Sequence, residues 1–144
     1  MQVQIPAQER NWAMAAHLSA LVAIAGLPFG HVLGPLIVYL VKGHESEFVG
    51  EHARASLNYQ ITISILGIVA AIVAVAWTLG YLIPMSASSS SDTTAPAGFA
   101  VLWIGLAAVV LLVLLLSIVF IILGTIAAAE GRPYRYPFAI RFLR

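Results

Sequence analysis

Residues 99–129 are FAVLWIGLAAVVLLVLLLSIVFIILGTIAAA, an apolar run without a single charged side chain. A helix of this length is about 46 Å long, which exceeds the roughly 30 Å hydrocarbon core of a bilayer. The run therefore predicts a transmembrane helix that tilts or projects from the membrane. A second apolar run, residues 61–83, predicts another transmembrane helix. Ser46 is placed to cap a helix that begins at the membrane surface near Glu47 and continues into this span as residues 47–83.

The composition of the whole chain favours lipid as its solvent. Of the 144 residues, 61% are hydrophobic and 9% are charged, whereas soluble domains carry about 25% charged residues. A soluble fold of this composition would expose a large apolar surface to water. The chain has no cysteine, which excludes disulfides and cysteine–metal sites. The few basic residues have a membrane explanation, so we expect no nucleic-acid partner.

The segment before residue 47 predicts two further, shorter helices. Residues 12–27 form a helix of about 24 Å, and residues 34–42, with Pro35 in the first turn, form one of about 14 Å. A cluster of glycine and proline at 26–31 separates them. We interpret the pair as a helical hairpin that is re-entrant or locally thins the bilayer. Two alternatives stay open, a signal peptide at the N-terminus and one broken span over residues 13–41.

Together these elements predict an all-α integral membrane bundle in a single domain, residues 1–144. Its four hydrophobic helices are the short hairpin and two long transmembrane helices. A Ser-rich external loop, residues 84–98, and a basic tail, residues 130–144, complete the chain. The loop contains neither lysine nor arginine, so the positive-inside rule places both termini of a multi-pass membrane protein in the cytoplasm. We expect the tail to lie on the membrane surface and to contact anionic lipid headgroups through Arg132, Arg135, Arg141 and Arg144.

Polar residues at the membrane boundary are the candidate functional positions. His17 lies within an apolar helix, where a polar side chain marks either function or a hydrogen bond to another helix, for which Asn58 and Gln60 are the expected partners. Glu51, His52 and Arg54 indicate either proton or anion handling or a solvated helix face. His44 and His52 follow no compact metal-binding motif. We predict no metal, no cofactor and no enzymatic activity, because no nucleophile, acid and base converge in the sequence.

Several short motifs, in order, resemble a known family. They are Trp12 with His17-Leu18-Ser19, Gly34-Pro35-Leu36-Ile37, Glu51-His52-Ala53, Leu57-Asn58-Tyr59-Gln60 and Glu130-Gly131-Arg132-Pro133-Tyr134-Arg135-Tyr136-Pro137. This order resembles a bacterial membrane family of unknown function related to the Tic-type subunits of the chloroplast inner-envelope translocon. The resemblance implies a four-helix protein of the bacterial cytoplasmic membrane. It singles out His17, Pro35, Phe48, His52, Asn58, Gly131, Tyr134 and Pro137.

Two hypotheses for function follow. The first is a non-enzymatic scaffold or accessory subunit that associates with a second copy or another membrane protein through small-residue faces such as Gly124 and Ala128. The second is a small channel, transporter or protein-translocation component in which the broken hairpin, His17, Asn58 and Gln60 form a polar path.

Overall fold

A computed structural model describes residues 4–25, 29–87 and 94–144. Four α-helices follow one another, and a 3₁₀ segment at Ser19–Ala25 continues the first: α1 Ala7–Leu18, α2 Gly30–Lys42, α3 Glu47–Ala87 and α4 Thr94–Ala129. These residues contain no strand, which confirms the all-helical fold. Two helices, α3 and α4, are long and apolar enough to cross a membrane. That all four helices are membrane helices stays a prediction.

Both prolines expected at helix boundaries lie inside helices instead. Because α2 begins at Gly30, Pro35 is buried within it rather than in its first turn. Pro84 does not end α3, which continues to Ala87. A proline removes one N–H donor and crowds the carbonyl four residues before it, a local disturbance that a long helix can accommodate near its end with a kink.

The two connections expected between apolar runs are shorter than predicted. Of the glycine and proline cluster at 26–31, residues 26–28 lie outside the described part of the chain, and Phe29 takes a left-handed φ of 58° immediately before α2. Residues 94–98 of the expected Ser-rich loop are already helical, because α4 begins at Thr94. Residues 88–93, which hold most of its serines, lie outside the description.

Two predicted helix ends are confirmed in detail. Ser46 Oγ accepts the Val49 N–H at 3.3 Å and so caps α3. At the end of α4, Gly131 has a φ of +70° and donates to the Ala128 carbonyl at 3.1 Å. The following N–H, of Arg132, donates to the Ala127 carbonyl at 2.9 Å. This pair of bonds is the Schellman motif, and it turns the chain sharply into the tail.

The chain divides into two units, which we name by their buried content. The polar unit comprises residues 1–64 and 117–144, and the apolar unit comprises residues 65–116. Six buried polar side chains are described, and all belong to the polar unit: His17, His52, Ser56, Asn58, Gln60 and Thr62. In the apolar unit, Ala74 is the only described residue that is buried.

Small residues allow the helices of the polar unit to pack closely. A Cβ on Gly34 of α2 would lie 2.5 Å from the Ser19 carbonyl oxygen, so a side chain does not fit there. Ala16 and Ala53 are fully buried beside Val38 and Val49 in one core cluster. The close approach of α1, α2 and α3 positions the polar side chains of α1 and α3 against each other.

Candidate functional site

A buried cluster of His17, His52 and Tyr136 joins α1, α3 and the tail; we call it the histidine–tyrosine cluster. His17 Nδ1 lies 2.9 Å from the Tyr136 hydroxyl, and His17 Nε2 lies 2.8 Å from His52 Nδ1. His52 Nε2 lies 3.1 Å from the Arg132 carbonyl oxygen. The expectation that His17 bonds Asn58 or Gln60 is therefore wrong, because both of its ring nitrogens are taken by other partners.

The chemistry of these groups fixes the direction of all three hydrogen bonds. A carbonyl oxygen only accepts, so His52 Nε2 carries the proton and neutral His52 accepts at Nδ1. His17 therefore donates from Nε2 and accepts at Nδ1 from the Tyr136 hydroxyl. Because the chain of bonds ends on a backbone carbonyl, it has no proton acceptor at that end. The arrangement fastens three segments together and does not form a proton path.

Burial holds this cluster in its neutral form. Desolvation, followed by the neighbouring His52, lowers the pKa of His17 from 6.5 to about 3. Burial also raises the pKa of Tyr136. The cluster is closely packed, since Tyr59 stacks on Tyr136 at 4.5 Å between ring centroids and Phe48 contacts His52 at 4.5 Å. Neutral rings are what the three directed hydrogen bonds require.

Gly124 of α4 provides the space for the His17 ring. A Cβ at this position would lie 3.0 Å from two atoms of the His17 ring and 3.1 Å from Tyr134. Gly124 and Ala128 are both buried within the chain, and the expected contact of this pair with a partner stays a prediction. The close contact of Gly124 is with aromatic side chains of α1 and the tail.

The tail is bound to α3 by two side chains, which we call the tail clamp. Asn58 Oδ1 accepts the N–H groups of Phe142 at 3.0 Å and Leu143 at 2.8 Å, and Nδ2 donates to the Leu143 carbonyl at 3.0 Å. Thr62 Oγ1 accepts the Ile140 N–H at 3.0 Å. The end of the tail is therefore fixed to α3, and its expected position on the membrane surface stays a prediction. Irregular backbone beside a helix needs hydrogen-bond partners, and the tail clamp provides them.

Between α3 and the tail lies a cavity of about 600 Å³, which we call the arginine groove. Its charged lining consists of Glu51, Arg54, Arg135, Arg141 and Arg144, and Asn58 and Tyr134 contribute further polar groups. Glu51, Arg54 and Asn58, three of the candidate positions on α3, therefore line the same cavity.

Two further candidate positions, Gln60 and Pro137, lie outside the histidine–tyrosine cluster. Gln60 is buried, and its backbone carbonyl accepts a hydrogen bond from the Ser64 hydroxyl at 2.8 Å. Pro137 precedes Phe138, which has a left-handed φ of 61° where the tail turns. Within the described residues, no three His, Asp or Glu side chains form a group that could hold a metal.

Tyr136 and Thr62, which fasten the tail, were not among the candidate positions predicted from the sequence. One signal for Tyr136 was available. Prolines at 133 and 137 keep the intervening backbone extended, and alternate residues of an extended segment share one side. Tyr134 and Tyr136 would therefore have been expected beside one another. They are in contact, with ring centroids 5.0 Å apart.

Comparison with known proteins gives one match. A family model described as the magnetosome magnetite crystal formation protein family matches residues 8–143, nearly the whole chain. No curated protein and no solved structure matches significantly. The match overturns the resemblance to the Tic-type translocon family, which rested on short motifs. Many of these motifs mark helix caps, turns and interfacial positions, which unrelated membrane proteins share.

Proposed function

The chain belongs to the magnetosome magnetite crystal formation protein family, and on this basis we propose that it is a non-enzymatic accessory protein of the magnetosome membrane. One observation carries the proposal: the two buried histidines and Asn58 are bonded to other groups of the same chain. Both ring nitrogens of His17 and of His52 are occupied, and Asn58 is committed to the tail. A catalytic acid, base or nucleophile has to be available to a substrate, and these groups are not.

The apolar unit supports a membrane setting. Its large apolar side chains face away from the chain, as Val101 and Ile104 do with 69% of each exposed. Lipid or another membrane protein is the environment that such a surface requires. In the proposed arrangement α3 and α4 cross the membrane, and both termini lie on the cytoplasmic side that the positive-inside rule favours.

Two kinds of partner follow from this arrangement. Tail arginines attract anionic headgroups at the membrane surface. The exposed faces of α3 and α4 provide contact area for a second copy or another protein of the same membrane, and Gly67 and Gly80 have open space where a side chain would be. Small residues at such positions permit close helix contact.

The channel or transporter hypothesis receives no such support. Its polar path was to consist of His17, Asn58 and Gln60. His17 and Asn58 instead hold the cluster and the tail. Liposome flux at rates typical of a channel would contradict the accessory role.

The accessory role is tested by site-specific photocrosslinking in a magnetite-forming bacterium. A photoreactive residue replaces Leu112, which is 56% exposed in the apolar unit, and in a matched control it replaces Leu57, which is 1% exposed in the polar unit. We expect crosslinks to another chain from position 112 and none from position 57. Monomer alone at both positions, together with unchanged magnetite crystals when the gene is deleted, would contradict the proposal.

A further inference from the structure

The cationic side chains fall into two sets, and the first set is already neutralised within the chain. Lys42 pairs with Glu45 at 2.6 Å, and Arg132 pairs with Glu130. Arg10 donates to the last carbonyl of α4 at 3.2 Å, where the helix dipole is negative. These three side chains have a local electrostatic role.

The second set comprises the other four cations of the sequence, and all of them line the arginine groove: Arg54, Arg135, Arg141 and Arg144. Across residues 4–25, 29–87 and 94–144, none of the four forms an ion pair or hydrogen bond. The one carboxylate in the lining, Glu51, is not paired with any of them. Four like charges around one cavity repel each other, so the groove favours a bound anion.

The tail clamp holds the groove in shape without a ligand. Asn58 lines the groove and also binds the backbone of Phe142 and Leu143. These two residues lie between Arg141 and Arg144, so the clamp keeps both arginines beside α3. Arg54 is one helical turn before Asn58 on the same face. A site formed in advance loses less conformational entropy when it binds.

The lining and size of the groove indicate a phosphate ester. A guanidinium group presents a planar fork of N–H donors that matches phosphate oxygens. The volume of about 600 Å³ lies within the range of small-molecule sites and exceeds what a bare phosphate ion fills. A ligand that filled this volume would be a phosphate attached to an organic group.

Apolar side chains on the same tail indicate that this organic group is a lipid. Phe138 is 92% exposed, Ile140 57% and Phe142 46%. They alternate along the segment that Thr62 and Asn58 bind to α3. A groove that favours an anion, beside exposed apolar side chains, complements a molecule with a charged head and hydrocarbon chains.

We propose that the arginine groove is a discrete site for the phosphate headgroup of one anionic lipid, whose acyl chains pass Phe138, Ile140 and Phe142. The inference rests on the proposed membrane function and makes it more specific. A diffuse attraction would depend equally on every tail arginine, whereas this site includes Arg54 of α3 and excludes Arg132.

Native mass spectrometry of the full chain in detergent, titrated with phosphatidylglycerol or with phosphatidylcholine, tests the site. We expect one phosphatidylglycerol bound per chain and preference over phosphatidylcholine. Arg54→Gln and Arg141→Gln should each lower the affinity at least tenfold. Arg132→Gln, which removes the same charge outside the groove, should change it less than twofold. Glu51→Gln should raise it severalfold, a gain that damage to the fold does not produce.

Three results would overturn the proposal. Equal losses for Arg54→Gln, Arg141→Gln and Arg132→Gln would show diffuse attraction only. Unchanged affinity in both groove variants would exclude the site. Displacement of the lipid by an equal concentration of glycerol phosphate would assign the groove to a soluble ester. If the Arg54→Gln variant does not fold, the Arg141→Gln variant alone tests the site, because the Arg141 side chain makes no described hydrogen bond. Failure of the proposed function would appear separately, as a wild-type chain that does not insert into liposomes.

Discussion

The polar unit and the apolar unit differ in what their side chains contact. In the polar unit, side chains from α1 and α3 and the backbone of the tail satisfy one another through the histidine–tyrosine cluster and the tail clamp. In the apolar unit, large side chains such as Ile104 are mostly exposed. The polar unit therefore has a structure specified by its own contacts, whereas the apolar unit depends on what surrounds it. Predictions that compare matched substitutions in the two units test this difference.

The largest expected effect is in the histidine–tyrosine cluster. His17→Ala leaves His52 and Tyr136 without their partners and opens a cavity, which should lower the free energy of unfolding by about 3–5 kcal/mol. Leu112→Ala, at an exposed position of the apolar unit, should lower it by less than about 1 kcal/mol in detergent. Thermal unfolding followed by circular dichroism measures both. Similar losses of unfolding free energy in the two variants would show that the two units do not differ in this way.

The next effect is at the tail clamp. Asn58→Ala removes three hydrogen bonds to Phe142 and Leu143 and should destabilise the tail by about 2–3 kcal/mol. Trypsin should then cleave after Arg141 at least tenfold faster. Asn11→Ala changes the same residue type at an exposed position of α1 and should leave the cleavage rate unaltered. Equal cleavage rates for the wild type, Asn58→Ala and Asn11→Ala would mean that the tail clamp does not hold the tail.

Alanine substitutions at one glycine of each long helix should change the free energy of unfolding in opposite directions. Gly124→Ala places a Cβ 3.0 Å from the His17 ring and should destabilise the chain by about 1–3 kcal/mol through overpacking. Gly67→Ala has no atom within 4 Å of the new Cβ and should be neutral or stabilising by up to about 1 kcal/mol, because alanine favours helix. A destabilising Gly67→Ala would show that the apolar unit is packed against something in the isolated chain.

The smallest expected effect is a dependence on pH. The pKa of His17 is lowered from 6.5 to about 3, so the unfolded state binds more protons between these values and stability falls as the pH drops through that window. Above pH 6.5 His17 should contribute no pH dependence. At pH 5 this effect of His17 lowers the free energy of unfolding by at most about 2 kcal/mol. The difference between the unfolding midpoints at pH 7.5 and pH 5 should be larger for the wild type than for His17→Gln. An equal difference in the two proteins would show that His17 does not cause the pH dependence.

Local features of the sequence were enough to predict much of the fold. The cap at Ser46, the left-handed turn at Gly131 and the long apolar runs depend on neighbouring residues alone. The histidine–tyrosine cluster could not be predicted, because His17 lies 35 residues from His52 and 119 from Tyr136. Such pairings depend on how helices cross. The binding of the tail to α3 could not be predicted either, because composition does not show that Asn58 binds its backbone.

The central claim is that the tail is part of the folded polar unit. Hydrogen–deuterium exchange of the full chain in lipid nanodiscs, read on peptides covering residues 139–144, tests it most directly. The account predicts slow exchange at the amides of Ile140, Phe142 and Leu143, which are bonded to α3, and loss of this protection in Asn58→Ala. Exchange of these amides at the rate of an unstructured peptide in the wild type would contradict it.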